Sequence, residues 1–374
     1  MATDGAHDAA GGMTYLDYQA TTPLAPEALA AMLPWLETQH ANPHSPHRAG
    51  RRAKAAVEVA RDQVAAGLPA GGAFAFTSGA TEALNWAIKG TTGPIVTLAT
   101  EHAAVLDTVG AEAARGRSVT VLPVGADGLV DPDAAAAAIR PGTGLVAAML
   151  VNNEIGVVQP IAMLAGLARA AGAIMLCDAV QGYGRVAVPD ACDLIAVSAH
   201  KVHGPKGVGG LWIRSGLALG PLLHGGGQEA AGRSGTLSPA LCSGFGVAAR
   251  AMRDRAADDA LHVERLWTMA TGMLTGWTIN GSVAQRYRGN LNVRRDGLDV
   301  ARLMSECRDI AFSAGSACAS VSGRSSHVLR AIGLSEAQAR SSIRLGFGRY
   351  TTQEELTAGL EAIVAAAGRQ GLRP

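Results

Sequence analysis

Leu194-Ile-Ala-Val-Ser-Ala-His-Lys201 is an apolar run that ends in a serine, a histidine and a lysine. A short, continuous apolar run of this kind reads as a buried strand. Ser198, His200 and Lys201 then fall at its carboxyl end. Just upstream, Ala173-Ile-Met-Leu-Cys177 is a second such run, and it delivers Asp178 with Gln181 close behind. Two buried strands thus bring an acid and a lysine to one edge of a sheet. Further apolar runs at 73–77, 95–99, 118–122, 145–151 and 208–213 alternate with helix-like stretches near 81–89, 102–115, 131–139 and 160–171. With 173–177 and 193–198 they make seven candidate strands. Strand–helix alternation predicts an α/β fold with a mainly parallel sheet covered on both faces. Ligands bind such sheets beyond the carboxyl ends of the strands.

Past residue 238 the pattern changes. A long helical region (239–275) leads to Trp277-Thr-Ile-Asn-Gly281, a strand near 290–293, a helix near 298–305, a Gly/Ser/Ala loop around 313–326 and a last helix from about 353. This predicts a large domain over 13–250 and a smaller C-terminal α+β domain over 251–374, with residues 1–12 a loose tail. The net charge of +1, with acids and bases interspersed, points away from nucleic acid and membrane surfaces as direct partners. No apolar run reaches transmembrane length, and the polar start lacks the order of a signal peptide. Five cysteines, with no close pair and no metal-type spacing, argue against disulfides and zinc. A cytoplasmic protein without a metal is the expectation.

The chain has 28 arginines and only four lysines. Lys54 lies in the charged helical stretch Arg51-Arg-Ala-Lys-Ala-Ala-Val-Glu58, Lys89 precedes Gly90 at a helix end, and Lys206 lies in the turn Gly204-Pro-Lys-Gly207. Only Lys201 follows directly on a buried strand. A strand-end lysine can simply reach solvent. Beside Asp178 and His200 it reads better as the lysine of a pyridoxal phosphate (PLP) enzyme. Such a lysine forms a Schiff base with the cofactor aldehyde, while a carboxylate keeps the pyridine nitrogen protonated. Asp178 supplies that carboxylate, and Gln181 can donate to the phenolic oxygen.

Other polar clusters fall at the same edge. Thr77-Ser-Gly-Ala-Thr-Glu82 is a strand–turn–helix junction whose backbone N–H groups and hydroxyls suit a phosphate, or form a plain helix cap. His102 follows the strand 95–99; it can stack on the pyridine ring and shuttle protons, or be a structural histidine. Val151-Asn-Asn-Glu-Ile-Gly156 puts two amides and an acid at a strand end, where they orient a ligand or brace loops. Arg344, in the apolar strand Ser341-Ser-Ile-Arg-Leu-Gly346, needs an anion, either a substrate carboxylate or an internal acid. Cys318 sits among small residues in Ser313-Ala-Gly-Ser-Ala-Cys-Ala-Ser320, a setting for an exposed thiol poised to attack. A free cysteine is also commonly a small buried hydrophobe.

Together these segments resemble the cysteine desulfurase family, PLP enzymes of fold type I related to class V aminotransferases. The match runs from Tyr15-Leu-Asp-Tyr-Gln-Ala-Thr-Thr-Pro23 to Arg344 and beyond, and includes Asp178-Ala-Val-Gln181, Ser198-Ala-His-Lys201, His224-Gly-Gly-Gly-Gln-Glu229, Arg233-Ser-Gly-Thr236 and Gly315-Ser-Ala-Cys318. The long stretch after Cys318 resembles the branch with an extended cysteine loop. The resemblance implies that Lys201 holds PLP and His102 stacks on its ring. Asp178 then pairs with the pyridine nitrogen and Gln181 with the phenolic oxygen. Thr81, Ser198 and His200 bind the phosphate of PLP, joined by Thr236 from a partner subunit of a homodimer, and Ala80 and Asn153 also bind the cofactor. Asn153 and Arg344 hold the carboxylate of L-cysteine. Cys318 takes the sulfur as a persulfide, leaving L-alanine, and passes it to an acceptor protein for iron–sulfur cluster assembly, thio-cofactors or tRNA thiolation. Selenocysteine lyase is the close alternative on the same fold. A PLP aminotransferase or carbon–sulfur lyase would not need Cys318, and a non-catalytic carrier would not need the Lys201, Asp178, His102 and Cys318 set.

Overall fold

The computed structural model of the chain describes residues 12–229, 232–315 and 325–371. It begins with β1 (Thr14–Tyr15), α1 (Pro26–Glu37) and α2 (Arg48–Ala65). The strands β2 (Gly72–Thr77), β3 (Ile95–Leu98), β4 (Val119–Leu122), β5 (Leu145–Met149), β6 (Ile174–Asp178), β7 (Leu194–Ser198) and β8 (Gly209–Arg214) form the central sheet. Helices α3 (Ala80–Lys89), α4 (Ala103–Ala114), α5 (Pro132–Ala138) and α6 (Ile161–Ala171) fall between them. All seven strands and four helices expected from the apolar pattern are present, with ends shifted by a residue or two.

The sheet order is β2-β8-β7-β6-β5-β3-β4. Every pairing is parallel except those of β8, which runs antiparallel to both β2 and β7. The reason is chain length. Residues 199–208 hold only a short turn at Ala199–Lys201 and a loop, too little for the crossover a parallel return requires. The strands alternate between two buried faces. Phe74, Phe76, Ile195, Val197 and Trp212 pack toward α2, α6 and α7 (Pro239–Asp254), whereas Ala75, Leu194, Ala196 and Leu211 pack toward α3 and α4. Burial on both sides explains the continuous apolar runs.

After α7 come α8 (Ala256–Met273), β9 (Thr278–Ile279), β10 (Asn290–Arg294), α9 (Val300–Glu306), β11 (Ile310–Ala311), β12 (Ser313–Ala314), α10 (His327–Ala331), α11 (Glu336–Arg340), β13 (Ser342–Gly346) and α12 (Gln353–Gly368). The strands β12-β13-β10-β9 form an antiparallel sheet over its own apolar core, in which Leu266, Leu291, Leu345 and Leu360 are buried. Leu16 joins that core, β1 pairs in parallel with β11, and Asp17 bridges to Gly346. We propose the division at 13–250 and 251–374, with residues 14–17 as a strap that crosses it. The strap fixes the segment 17–22 against the carboxyl ends of the central strands, which is where the site lies.

Candidate active site

The parallel register sets Met149 of β5 beside Asp178 of β6, and Asp178 beside Ala196 of β7. Lys201 follows β7 by one tight turn. Its Nζ donates to the main-chain carbonyls of Gln19 and Ala20 (2.5 and 2.8 Å). Burial, with Arg344 and Arg185 nearby, lowers the Lys201 pKa from 10.5 to about 8. The lysine is thus held by neutral carbonyls, and a large share of it is uncharged at mildly alkaline pH. Arg185 also donates to the Lys201 carbonyl and to Gln181 Oε1 (2.5 and 3.2 Å), and Gln181 Nε2 donates to the Gln19 carbonyl (2.9 Å).

Asp178 is 5% exposed, and its Oδ1 accepts from the Val180 N–H (3.0 Å). Burial pushes its carboxyl above the usual range, although His102 and Lys201 pull the other way. An acid so placed has a strong preference for a cationic donor against it. His102 is the N-cap of α4, where Nδ1 accepts from the Ala104 N–H (3.1 Å). Its neutral ring therefore carries its proton on Nε2. Burial lowers the His102 pKa, which favours that neutral ring. His102 is thus the cap of α4 and also lines the cavity.

These side chains line a cavity of about 530 Å³ with Ser78, Ala80, Thr81, Asn153, Ser198, His200 and Arg344. One end is the N-terminus of α3, whose cap residue, Gly79, has no side chain to accept from the first N–H groups. Those donors, with the hydroxyls of Thr81 and Ser198, make an anion cradle. His200 faces it with Nδ1 at 3.2 Å from Thr21 Oγ1, and burial lowers its pKa to about 4. Lys206, which the sequence places in a mere turn, lines the same cavity.

Arg344 is 1% exposed and forks between Asp17 (2.8 Å), Ser313 Oγ (3.1 Å) and the carbonyl of Asn153 (3.1 Å). The internal acid is therefore real, and Arg344 nonetheless lines the cavity. Its Nε and the Asn153 Oδ1 are buried without a partner among the described residues. Among the described residues, one expected site residue is not in the cavity wall. Thr236 is exposed and away from it. Cys318 lies outside the described residues. Conversely, Asp17, Gln19, Ala20, Thr21 and Arg185 belong to this neighbourhood although no role was read for them. The stretch Asp17–Thr22 between Leu16 and Pro23 marks four of them only as irregular chain, and nothing in the sequence singles out Arg185.

A buried acid, a lysine of lowered pKa and an uncapped helix N-terminus in one cavity define a site for a phosphorylated aldehyde cofactor. A model of the family "Aminotransferase class-V" matches residues 14–358. The "Cysteine desulfurase IscS" of Rickettsia bellii (strain OSU 85-389) is 40% identical over 367 residues, covering 93% of this chain and 90% of that protein. Among solved structures, a "NifS-like protein" superposes with a TM-score of 0.88 at 30% identity, covering 96% of this chain and 100% of that one. The structure titled "SspA in complex with cysteine" gives a TM-score of 0.81 at 35% identity, covering 91% and 100%. The chain belongs to the class V aminotransferase family, and within it to the cysteine desulfurases.

Pyridoxal phosphate is the cofactor of this family, and the residues present fit it. The α3 N-terminus would suit its phosphate, Asp178 would suit a protonated ring nitrogen, and Lys201 would supply an amine for its aldehyde.

Proposed function

We propose that this chain removes sulfur from L-cysteine, leaving L-alanine and a persulfide on Cys318. What carries the reading is the convergence of Lys201, Asp178 and Arg344 on one cavity in a chain of this family. In it, Lys201, Asp178, Gln181, His102, Ala80, Thr81, Ser198 and His200 hold the cofactor. When bound, pyridoxal phosphate supplies an aldehyde for the substrate amine and a ring that withdraws electrons from its α-carbon.

The protein does the rest. Arg344 and Asn153 bind the substrate carboxylate, a charge-assisted contact that fixes the amino acid's orientation. Lys201 Nζ, neutral in part near pH 8, accepts the α-proton. The Cys318 thiolate attacks the substrate sulfur. An S–S bond forms, the Cβ–S bond breaks with its electron pair left on carbon, and Cβ takes up a proton to become the alanine methyl. In this reading His102, whose cap bond to the Ala104 N–H leaves its proton on Nε2, donates in these transfers. An acceptor protein then takes the outer sulfur, for iron–sulfur clusters or thiolated products.

The reading includes a homodimer in which Thr236, exposed and absent from its own cavity wall, completes the phosphate end of the partner subunit's cavity. No helix among the described residues is long and apolar enough to cross a membrane. The reading places the protein in the cytoplasm, where its four described cysteines, all buried as free thiols, stay reduced. The test is product analysis with L-cysteine, added thiol and holoenzyme. Equal amounts of L-alanine and sulfide are expected. Pyruvate as the main product contradicts the reading, and turnover of L-selenocysteine alone would make the chain a selenocysteine lyase.

A further inference from the structure

Glu154 is 4% exposed and makes no ion pair among the described residues, yet it stands in the middle of a buried polar network. Its N–H donates to Asn152 Oδ1 (2.9 Å), which fixes the turn after β5. Its carboxyl accepts from the Ser326 hydroxyl. Ser326 Oγ in turn accepts from the Leu329 N–H (3.0 Å), so its proton is directed to Glu154. The main-chain carbonyl of Glu154 accepts from Asn292 Nδ2 (3.1 Å).

Asn292 is fully buried on β10, and the same Nδ2 reaches the carbonyl of Gly315 (3.4 Å). Its Oδ1 accepts from Asn280 (2.8 Å), which also donates to Ser342 Oγ (3.1 Å). The Gly315 N–H donates to the Ser342 carbonyl (2.7 Å). Beside Ser326, His327 Nε2 lies 2.9 Å from the carbonyl of Glu101, the residue before His102. Gly315 and Ser326 bracket the segment that contains Cys318. Glu154 follows Asn153, whose carbonyl accepts from Arg344. One turn therefore touches the substrate-carboxylate arginine and both ends of the cysteine segment. Polar groups buried this deeply are costly unless mutually satisfied, and a satisfied network rigidifies what it joins.

We propose that Glu154 is a positioning residue for sulfur transfer: with Asn292 it ties both ends of the Cys318 segment to the turn that carries Asn153. The inference rests on the reading of Cys318 as sulfur acceptor. The Glu154 carboxyl contacts Ser326 and neither Asn153 nor Arg344, so its loss slows persulfide formation while substrate capture changes little.

The test compares Glu154→Ala, Glu154→Gln and Asn292→Ala holoenzymes in a single turnover with L-cysteine. Glu154→Ala should slow persulfide formation on the order of ten- to a hundredfold, the cost of a small misplacement of a reacting group. The L-cysteine concentration that half-saturates the cofactor absorbance change should stay within about twofold. Glu154→Gln, which still accepts from Ser326, should recover most of the rate. If Glu154→Ala fails to fold or to hold cofactor, Asn292→Ala carries the same comparison. A folded variant that forms persulfide within about twofold of the wild-type rate overturns the proposal, as does a parallel shift of rate and half-saturation. Full desulfuration by Cys318→Ala, run alongside, would instead overturn the function on which the proposal rests.

Discussion

Burial does most to lower the Lys201 pKa, and Arg344 and Arg185 oppose its charge further. Its Nζ donates to two carbonyls, which satisfy the amine without the full charge pairing of a carboxylate. Only the neutral amine can attack an aldehyde. Capture of pyridoxal phosphate by the apo-protein should therefore accelerate as pH rises toward about 8 and level off above it, read from absorbance after mixing. A rate that keeps climbing to the ordinary lysine range would contradict the lowered pKa, and Lys201→Ala should show no covalent capture. Lys201 and Asp178 were legible in the sequence because each ends an apolar run, so strand direction alone aims them at one edge. Asp17 and the carbonyls of Gln19 and Ala20 were not. Asp17 reaches Arg344 across most of the chain's length, and carbonyl oxygens carry no side-chain signature.

At the scale of elements, strands buried on both faces announced themselves, whereas orientation and helix exposure did not. The reversal of β8 follows from a short connection, not from any residue within the strand. Over 26–37 the large apolar residues Leu29, Leu33 and Leu36 are exposed while Ala28 and Met32 are buried, and Pro34 lies within α1. Apolar patterning there points to the wrong face. The packing of α2 on α7 depends on small residues. A Cβ at Gly246 would lie 2.7 Å from Ala60 Cα and 2.9 Å from Ala60 Cβ. The nearest atom, Gln63 Oε1 at 2.5 Å, ends a flexible side chain and can swing away, but the Cα and Cβ of Ala60 cannot, so the helices cannot yield locally. Gly246→Val should thus destabilise the fold by about 1–3 kcal/mol, the usual range for overpacking. It would appear as a lower denaturant midpoint at unchanged slope. An unchanged or higher midpoint would mean the helices are not in close contact.

The whole molecule is built so that its cavity is shared between layers. The central sheet contributes Asp178, Ser198 and Lys201, the C-terminal sheet contributes Arg344, and the strap after β1 contributes Gln19 to Thr21. Thr236 is left facing outward, which makes a second copy of the chain part of the account. Lys201→Ala and Thr236→Ala subunits, refolded together at limiting pyridoxal phosphate, should regain activity that neither has alone, because a mixed dimer holds one site with both residues intact. No recovery would mean that each subunit completes its own site. In the proposed reaction, sulfur leaves L-cysteine onto Cys318. Its most direct test is a single turnover of holoenzyme with L-cysteine and no added thiol, followed by mass analysis of the peptide bearing Cys318. One added sulfur atom on Cys318 is expected for each L-alanine released, and neither product in Cys318→Ala. L-alanine released at the wild-type rate by Cys318→Ala, or no sulfur on Cys318 in the wild type, would contradict it.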